Sequence, residues 1–319
     1  MMDDGEASGM KTAFLFPGQG SQQVGMGKSL FETTPAAREI FEQADAALGF
    51  SLSKLCFDGP DANLRRTANT QPAILAVSTA ALRAFEARGA RADFVAGHSL
   101  GEYSALVAAG SIKFDDAIKA VRRRGEFMQE AVPPGEGAMA ALIGLSIESV
   151  RALCEEVASF GVCAPANLNS PNQTVIAGGT RAVERAVELA QARGAKRAVM
   201  LPVSAPFHCE LMRPAAERLS SVLNEIEFGD LEMPLVTNVD AMLTTSGREA
   251  RGALLRQVAS PVRWSESVQL LIDQGVKRFV EIGPGKVLSG LVRQISRDCK
   301  LLNVEDAQSL DAAAASLEL

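Results

Sequence analysis

Ser99 stands between two glycines in Gly97-His98-Ser99-Leu100-Gly101, where the apolar run Phe94-Val95-Ala96 meets the helix-like run Glu102-Tyr103-Ser104-Ala105-Leu106-Val107-Ala108-Ala109. Flanking glycines let the backbone turn more sharply than a Cβ tolerates, which displays the serine hydroxyl at the mouth of a sheet as a nucleophile. The Leu100 amide falls at the start of the following helix, a place that favours an oxyanion. The five-residue pattern alone is weak, because a tight strand-to-helix turn with a solvated serine has the same residues.

A serine hydroxyl needs a base, and the chain has only two histidines, His98 and His208. His98 adjoins the serine on a sharp turn, so the two side chains diverge. A histidine beside a proline loop is, taken alone, more often structural than catalytic, but as the one remaining candidate His208, in Ser204-Ala205-Pro206-Phe207-His208, is the candidate base. In the stretch Asp115 to Glu130, residues Ala117, Ile118, Val121, Gly125 and Met128 recur at spacings of three and four and mark one apolar helix face. Arg123 points away from that face and Arg124 falls within it. A guanidinium there must be paired with an internal carboxylate or must line a pocket as a clamp for a substrate carboxylate. Two lookalikes carry no chemistry. Gly283-Pro284-Gly285-Lys286-Val287 lacks the Ser or Thr and the second glycine of a phosphate loop, and His208-Cys209 has too few companions for a metal.

These residues need elements to hold them. Thr12 to Phe16 reads as a strand stopped by Pro17-Gly18-Gln19-Gly20, and helical patterning runs from about Ser29 to Gly89 with breaks at Gly59-Pro60 and near Pro72. Ala92 to Ala96 is the next strand. The alternation predicts an α/β layer with a largely parallel sheet, with the Gly18-Gln19-Gly20 loop and the Ser99 turn both at its carboxyl end, where ligands sit. From Ala138 the rhythm changes: strand to Gly144, helix Ile147 to Ser159, strands Val162 to Leu168 and Thr174 to Gly178, helix Arg181 to Arg193, strand Arg197 to Val203. That βαββαβ order predicts a ferredoxin-like subdomain inserted at about 133–200, within a core of 11–132 and 201–319. Leu235 to Asn238 and Lys277 to Ile282 read as further strands of the core.

The chain has 319 residues, enough for one large domain with an insert, and no apolar stretch of bilayer length. Residues 1–10 are polar and acidic and read as a disordered leader outside the fold. Five scattered cysteines without a CxxC fit a reducing cytoplasm, and a net charge of −6 argues against nonspecific nucleic-acid binding.

Phe16-Pro17-Gly18-Gln19-Gly20-Ser21-Gln22, Gly97-His98-Ser99-Leu100-Gly101-Glu102-Tyr103, Arg124-Gly125 with Phe127-Met128-Gln129-Glu130, Pro206-Phe207-His208 and Val280-Glu281-Ile282-Gly283-Pro284-Gly285 occur together and in order. In that combination the chain, from about Lys11 to its end, resembles the malonyl-CoA:acyl-carrier-protein transacylases, a family that also supplies acyltransferase domains to polyketide synthases. The resemblance implies an α/β-hydrolase-like core with a ferredoxin-like insert. It implies Ser99 as the acylated nucleophile, His208 as its base, Arg124 as partner of the malonyl carboxylate, and the Gln19 and Leu100 amides as the oxyanion hole. Gln257 matches the position whose backbone carbonyl orients the histidine, and Phe207 and His98 match pocket positions, bulk at Phe207 fitting a malonyl-sized pocket.

The expected activity is malonyl transfer from coenzyme A to the phosphopantetheine thiol of acyl carrier protein in fatty-acid biosynthesis. It needs no cofactor, metal, nucleic acid or membrane, and is expected of a cytoplasmic monomer. The alternatives are a serine hydrolase of the α/β class, since acids abound between Ser99 and His208, a polyketide-pathway acyltransferase, and a domain that only binds a carrier protein.

Overall fold

Along Lys11–Phe16 (β1), Phe14 and Phe16 join one apolar cluster while Ala13 and Leu15 join another, the two-residue period of a strand buried on both faces. The computed structural model describes residues 10–203 and 205–319, so the leader expected over 1–10 lies, apart from Met10, outside the described residues. The other strands are β2 (Phe94–Gly97), β3 (Gly137–Ile143), β4 (Cys163–Ser170), β5 (Gln173–Gly179), β6 (Arg197–Met200), β7 (Leu235–Val236), β8 (Leu243–Thr244), β9 (Val276–Ile282) and β10 (Lys300–Val304).

Six of them form one sheet in the order β10-β9-β1-β2-β7-β8, parallel except for the terminal β7–β8 pair. The protein is thus α/β, with a mixed, mostly parallel sheet. Phe16 pairs with Gly97, so the two loops that leave β1 and β2 start side by side. The other four strands form an antiparallel sheet in the order β4-β5-β3-β6. Ala138, Ala140 and Leu142 pack on the helices Ile147–Glu156 and Thr180–Ala192, while Met139, Val175 and Ala177 on the opposite face join the main core. The Leu168 amide donates to Val262 O and the Val262 amide to Ala166 O, both at 2.9 Å, which ties β4 to the segment after Gln257.

Four expectations are corrected. The helix Thr67–Glu86 runs through Pro72 without a break. A proline there has no N–H to give to Ala68 O. That oxygen instead accepts from Arg122 Nη1 at 3.0 Å, an arginine on the neighbouring helix Phe114–Glu130, so the loss is repaired from outside. The strand expected to reach Val203 ends at Met200, because Pro202 offers no donor to a ladder. The strand expected over Leu235 to Asn238 stops at Val236, since the Thr237 amide bonds Met242 O at 3.0 Å in a turn that withdraws Asn238 from the sheet. The helix expected to reach Ser159 closes at Glu156 with a separate short turn Ala158–Phe160. β10 was not anticipated. The segment resembling a phosphate loop opens the helix Val287–Ile295, whose Leu288 and Ser289 amides are taken at 3.0 and 2.7 Å by the buried Glu281 carboxylate.

Candidate active site

The turn at Ser99 is forced by close backbone contacts. A Cβ on Gly97 would stand 1.9 Å from Gly101 O, and one on Gly101 would stand 2.0 Å from Phe16 O. Ser99 itself has φ 52°, left-handed for a residue with a side chain, and His208 has φ 60°. Such strain persists only where neighbours over-determine it. Around Ser99 they do: its amide donates to Asn238 Oδ1 at 2.6 Å, and its carbonyl accepts from Gln257 Nε2 at 2.9 Å.

Ser99 Oγ lies 2.7 Å from His208 Nε2. On the other side of the ring, Nδ1–H donates to the Gln257 backbone carbonyl at 2.9 Å. A carbonyl accepts only, so this bond puts the proton on Nδ1 and leaves Nε2 free to receive the serine proton. Burial, reinforced by the positive charge of Arg124, pushes the His208 pKa down to about 3. The imidazole is therefore neutral and ready as a base. His98 faces elsewhere: its Nε2 is 2.9 Å from Asn169 Oδ1 and its ring packs on Trp264.

Arg124 is 1% exposed. Its Nη1 donates to Gln71 Oε1 at 2.7 Å, and its Nη2 to Gln257 Oε1 at 2.9 Å and to Ser99 Oγ at 3.1 Å. Every one of these acceptors is neutral, so the internal ion pair left open above is not what holds the arginine. The guanidinium sits at Ser99 Oγ, with no carboxylate in direct contact among the described residues. Burial also lowers its pKa from the ordinary value.

Ser99, Leu100, Gln19, His98, Arg124, Phe207 and His208 all line one cavity of about 100 Å³, roofed by Met128, Met139, Asn167, Leu201 and Val203. Among the described residues, neither the Gln19 nor the Leu100 amide donates a hydrogen bond to another protein group. All eight sequence-selected residues are thus drawn together, seven at the cavity and Gln257 behind the histidine.

The chain matches the model of the acyl transferase domain over residues 13–313. It is 50% identical over 309 residues to the malonyl CoA-acyl carrier protein transacylase of Bacillus subtilis, covering 97% of this chain and 98% of that one. The solved malonyl CoA-acyl carrier protein transacylase of Coxiella burnetii superposes with a TM-score of 0.94 at 44% identity, covering 97% and 98% of the two chains. A malonyl-transacylase solved in complex with a type II PKS acyl-carrier protein gives a TM-score of 0.94 at 48% identity, over 96% and 99%.

The chain belongs to the malonyl-CoA:acyl-carrier-protein transacylase family.

In this transacylase, the groups that sequence reasoning missed are polar residues with no spacing signature. Gln71, in the helix Thr67–Glu86, holds Arg124. It stands just before Pro72 among other polar residues, Thr67, Asn69 and Thr70, so nothing in the sequence singles it out. Asn238 lies under the turn, with Nδ2 donating to Gly97 O at 2.7 Å. Glu102, fully buried, accepts through Oε2 from the Asn238 amide at 3.1 Å and from Gln257 Nε2 at 2.8 Å.

Proposed function

We infer that the chain moves a malonyl group from coenzyme A to the phosphopantetheine thiol of acyl carrier protein in fatty-acid biosynthesis, by a ping-pong route through a malonyl ester of Ser99. The observation that carries the reading is one cavity in which Ser99 Oγ is 2.7 Å from a neutral imidazole and 3.1 Å from a buried guanidinium. The names of the relatives and the carrier-protein complex of a neighbour support the same substrate pair.

His208 Nε2 takes the Ser99 proton as Oγ attacks the thioester carbonyl. The oxygen that gains charge is held by the Gln19 and Leu100 amides. As the C–S bond breaks, coenzyme A leaves as a thiol with the proton from Nε2. The carrier-protein thiol then gives its proton to Nε2, attacks the ester through the same oxyanion, and Oγ recovers the proton. Once Oγ is acylated, Arg124 Nη2 no longer donates to a hydroxyl and turns to the malonyl carboxylate. An acetyl group would leave the guanidinium without that partner, which is the source of selectivity. The scheme balances with the two substrates alone and calls for no resident cofactor.

We read residues 133–200 as a ferredoxin-like insert in an α/β-hydrolase-like core. The order β6-β3-β5-β4 with antiparallel neighbours supports the insert, and the parallel strands beneath the Ser99 turn support the core. Every group of the site comes from one chain, which supports activity as a monomer. No helix among the described residues is long and apolar enough to cross a membrane, and five free cysteines support a reducing cytoplasm.

A hydrolase of the α/β class is the less fitting reading, because the partner of His208 Nδ1 is a backbone carbonyl and Arg124 is aimed at the serine. Initial rates with malonyl-CoA at several fixed concentrations of holo acyl carrier protein test this. Parallel double-reciprocal lines are expected. Intersecting lines, or steady release of malonate without carrier protein, would contradict it.

A further inference from the structure

Glu102 has no part in the steps above, yet it is a fully buried carboxyl one residue into the helix Gly101–Ala108, with Oε1 unpartnered among the described residues. A carboxyl without an ion-pair contact is costly to bury, so its place calls for a physical reason. What it touches supplies one. Its Oε2 accepts a hydrogen bond from the Gln257 side-chain amide at 2.8 Å, while the same nitrogen reaches Ser99 O at 2.9 Å and Asn238 Oδ1 at 3.4 Å. Three acceptors on one side of an amide and the Arg124 donor on the other allow only one orientation. Turned over, the amide would set NH₂ against a guanidinium and its oxygen against a carboxyl.

Gln257 serves both halves of the site from behind. Its backbone carbonyl receives His208 Nδ1–H and its side-chain oxygen receives Arg124 Nη2. The geometry points to Glu102 as a positioning residue for malonyl selectivity: its carboxyl oxygen locks the Gln257 amide so that Arg124 is held where a substrate carboxylate meets it. The inference rests on the transacylase reading above. Glu102 touches no reacting atom and acts through Gln257.

The test compares kcat/KM for malonyl-CoA with that for acetyl-CoA, using the full chain and holo acyl carrier protein. Glu102→Leu fills the same space without an acceptor and is expected to lower the malonyl-to-acetyl ratio by about tenfold or more, mainly through KM for malonyl-CoA. Glu102→Gln keeps an acceptor at that place and is expected to stay within about threefold of the unaltered ratio. Should the leucine variant fail to fold, Glu102→Asp, one methylene too short to reach Gln257, is expected to shift the ratio in the same direction. An unchanged ratio in the leucine or aspartate variant, with both substrates slowed equally, overturns the positioning role. So does a glutamine variant that loses selectivity. Malonyl transfer by the unaltered chain is measured alongside: its absence sinks the transacylase reading, whereas its presence with an unchanged ratio sinks only the role of Glu102.

Discussion

His208 Nδ1 meets the backbone carbonyl of Gln257 at 2.9 Å, in the place where many serine enzymes use a carboxylate. A carbonyl orients the ring and fixes its tautomer but adds no full negative charge. The bond favours the charged ring, but burial and the Arg124 charge outweigh it and hold the imidazole neutral.

The titration of the two histidines follows. Burial lowers the pKa of His98 as well as that of His208. In a ¹H–¹³C NMR titration the His208 ring is expected to show no midpoint between pH 5.5 and 8, and the His98 midpoint is expected to lie below the ordinary 6.5. Folded His208 stays neutral down to about pH 3, while its unfolded form gains a proton near 6.5. Between those values the unfolded state binds more protons, so stability present above pH 6.5 is lost as pH falls, with a full slope of about 1.4 kcal/mol per pH unit. A histidine midpoint near 6.5 assigned to His208 would contradict the geometry.

Arg124→Ala is expected to lower kcat/KM for malonyl-CoA by roughly a hundredfold or more, the scale of losing one partner of a buried charge pair. Transfer from acetyl-CoA, which presents no carboxylate, is expected to hold or rise. Steady-state kinetics with both thioesters check the point, and an equal loss for the two would rule out the clamp.

Gly101→Ala places a methyl group where Phe16 O now sits, 2.0 Å from the ideal Cβ position. Backbone of a central strand cannot move aside as a flexible side chain would, so a loss of about 3 kcal/mol is expected in urea denaturation. Serine acylation should fall with it, because the same contact sets the angle at which Ser99 leaves the sheet.

Pro72 and Arg122 are expected to be energetically coupled. Arg122→Ala leaves Ala68 O without its 3.0 Å donor and should cost about 1–2 kcal/mol. In a Pro72→Ala background the restored amide can take that carbonyl, and the same arginine change should cost less. A double-mutant cycle that closes without an interaction energy would show that Arg122 does not repair the helix.

Much of this site is legible in the residues because the chemistry leaves few choices. Glycines flanking a serine at a strand end, a chain with two histidines, and one arginine on the apolar face of a helix name Ser99, His208 and Arg124 before any coordinates. Gln71, Glu102 and Asn238 are not legible in that way. Their amides and carboxyl gain meaning only when the helix Thr67–Glu86, the Ser99 turn and the β7–β8 turn converge, and no local period marks them. The fold divides similarly. The alternating strands and the βαββαβ rhythm are written in hydrophobic period, whereas the helix through Pro72 depends on a donor from Arg122, and the end of β7 on a turn that delivers Asn238 to Ser99.

The most direct test of the central claim is intact-protein and peptide mass spectrometry after brief exposure to malonyl-CoA without carrier protein. One malonyl group per chain is expected, located on the peptide that contains Ser99 and absent in Ser99→Ala. Its discharge by holo acyl carrier protein should be complete. No adduct, or an adduct that persists in Ser99→Ala, would contradict the account.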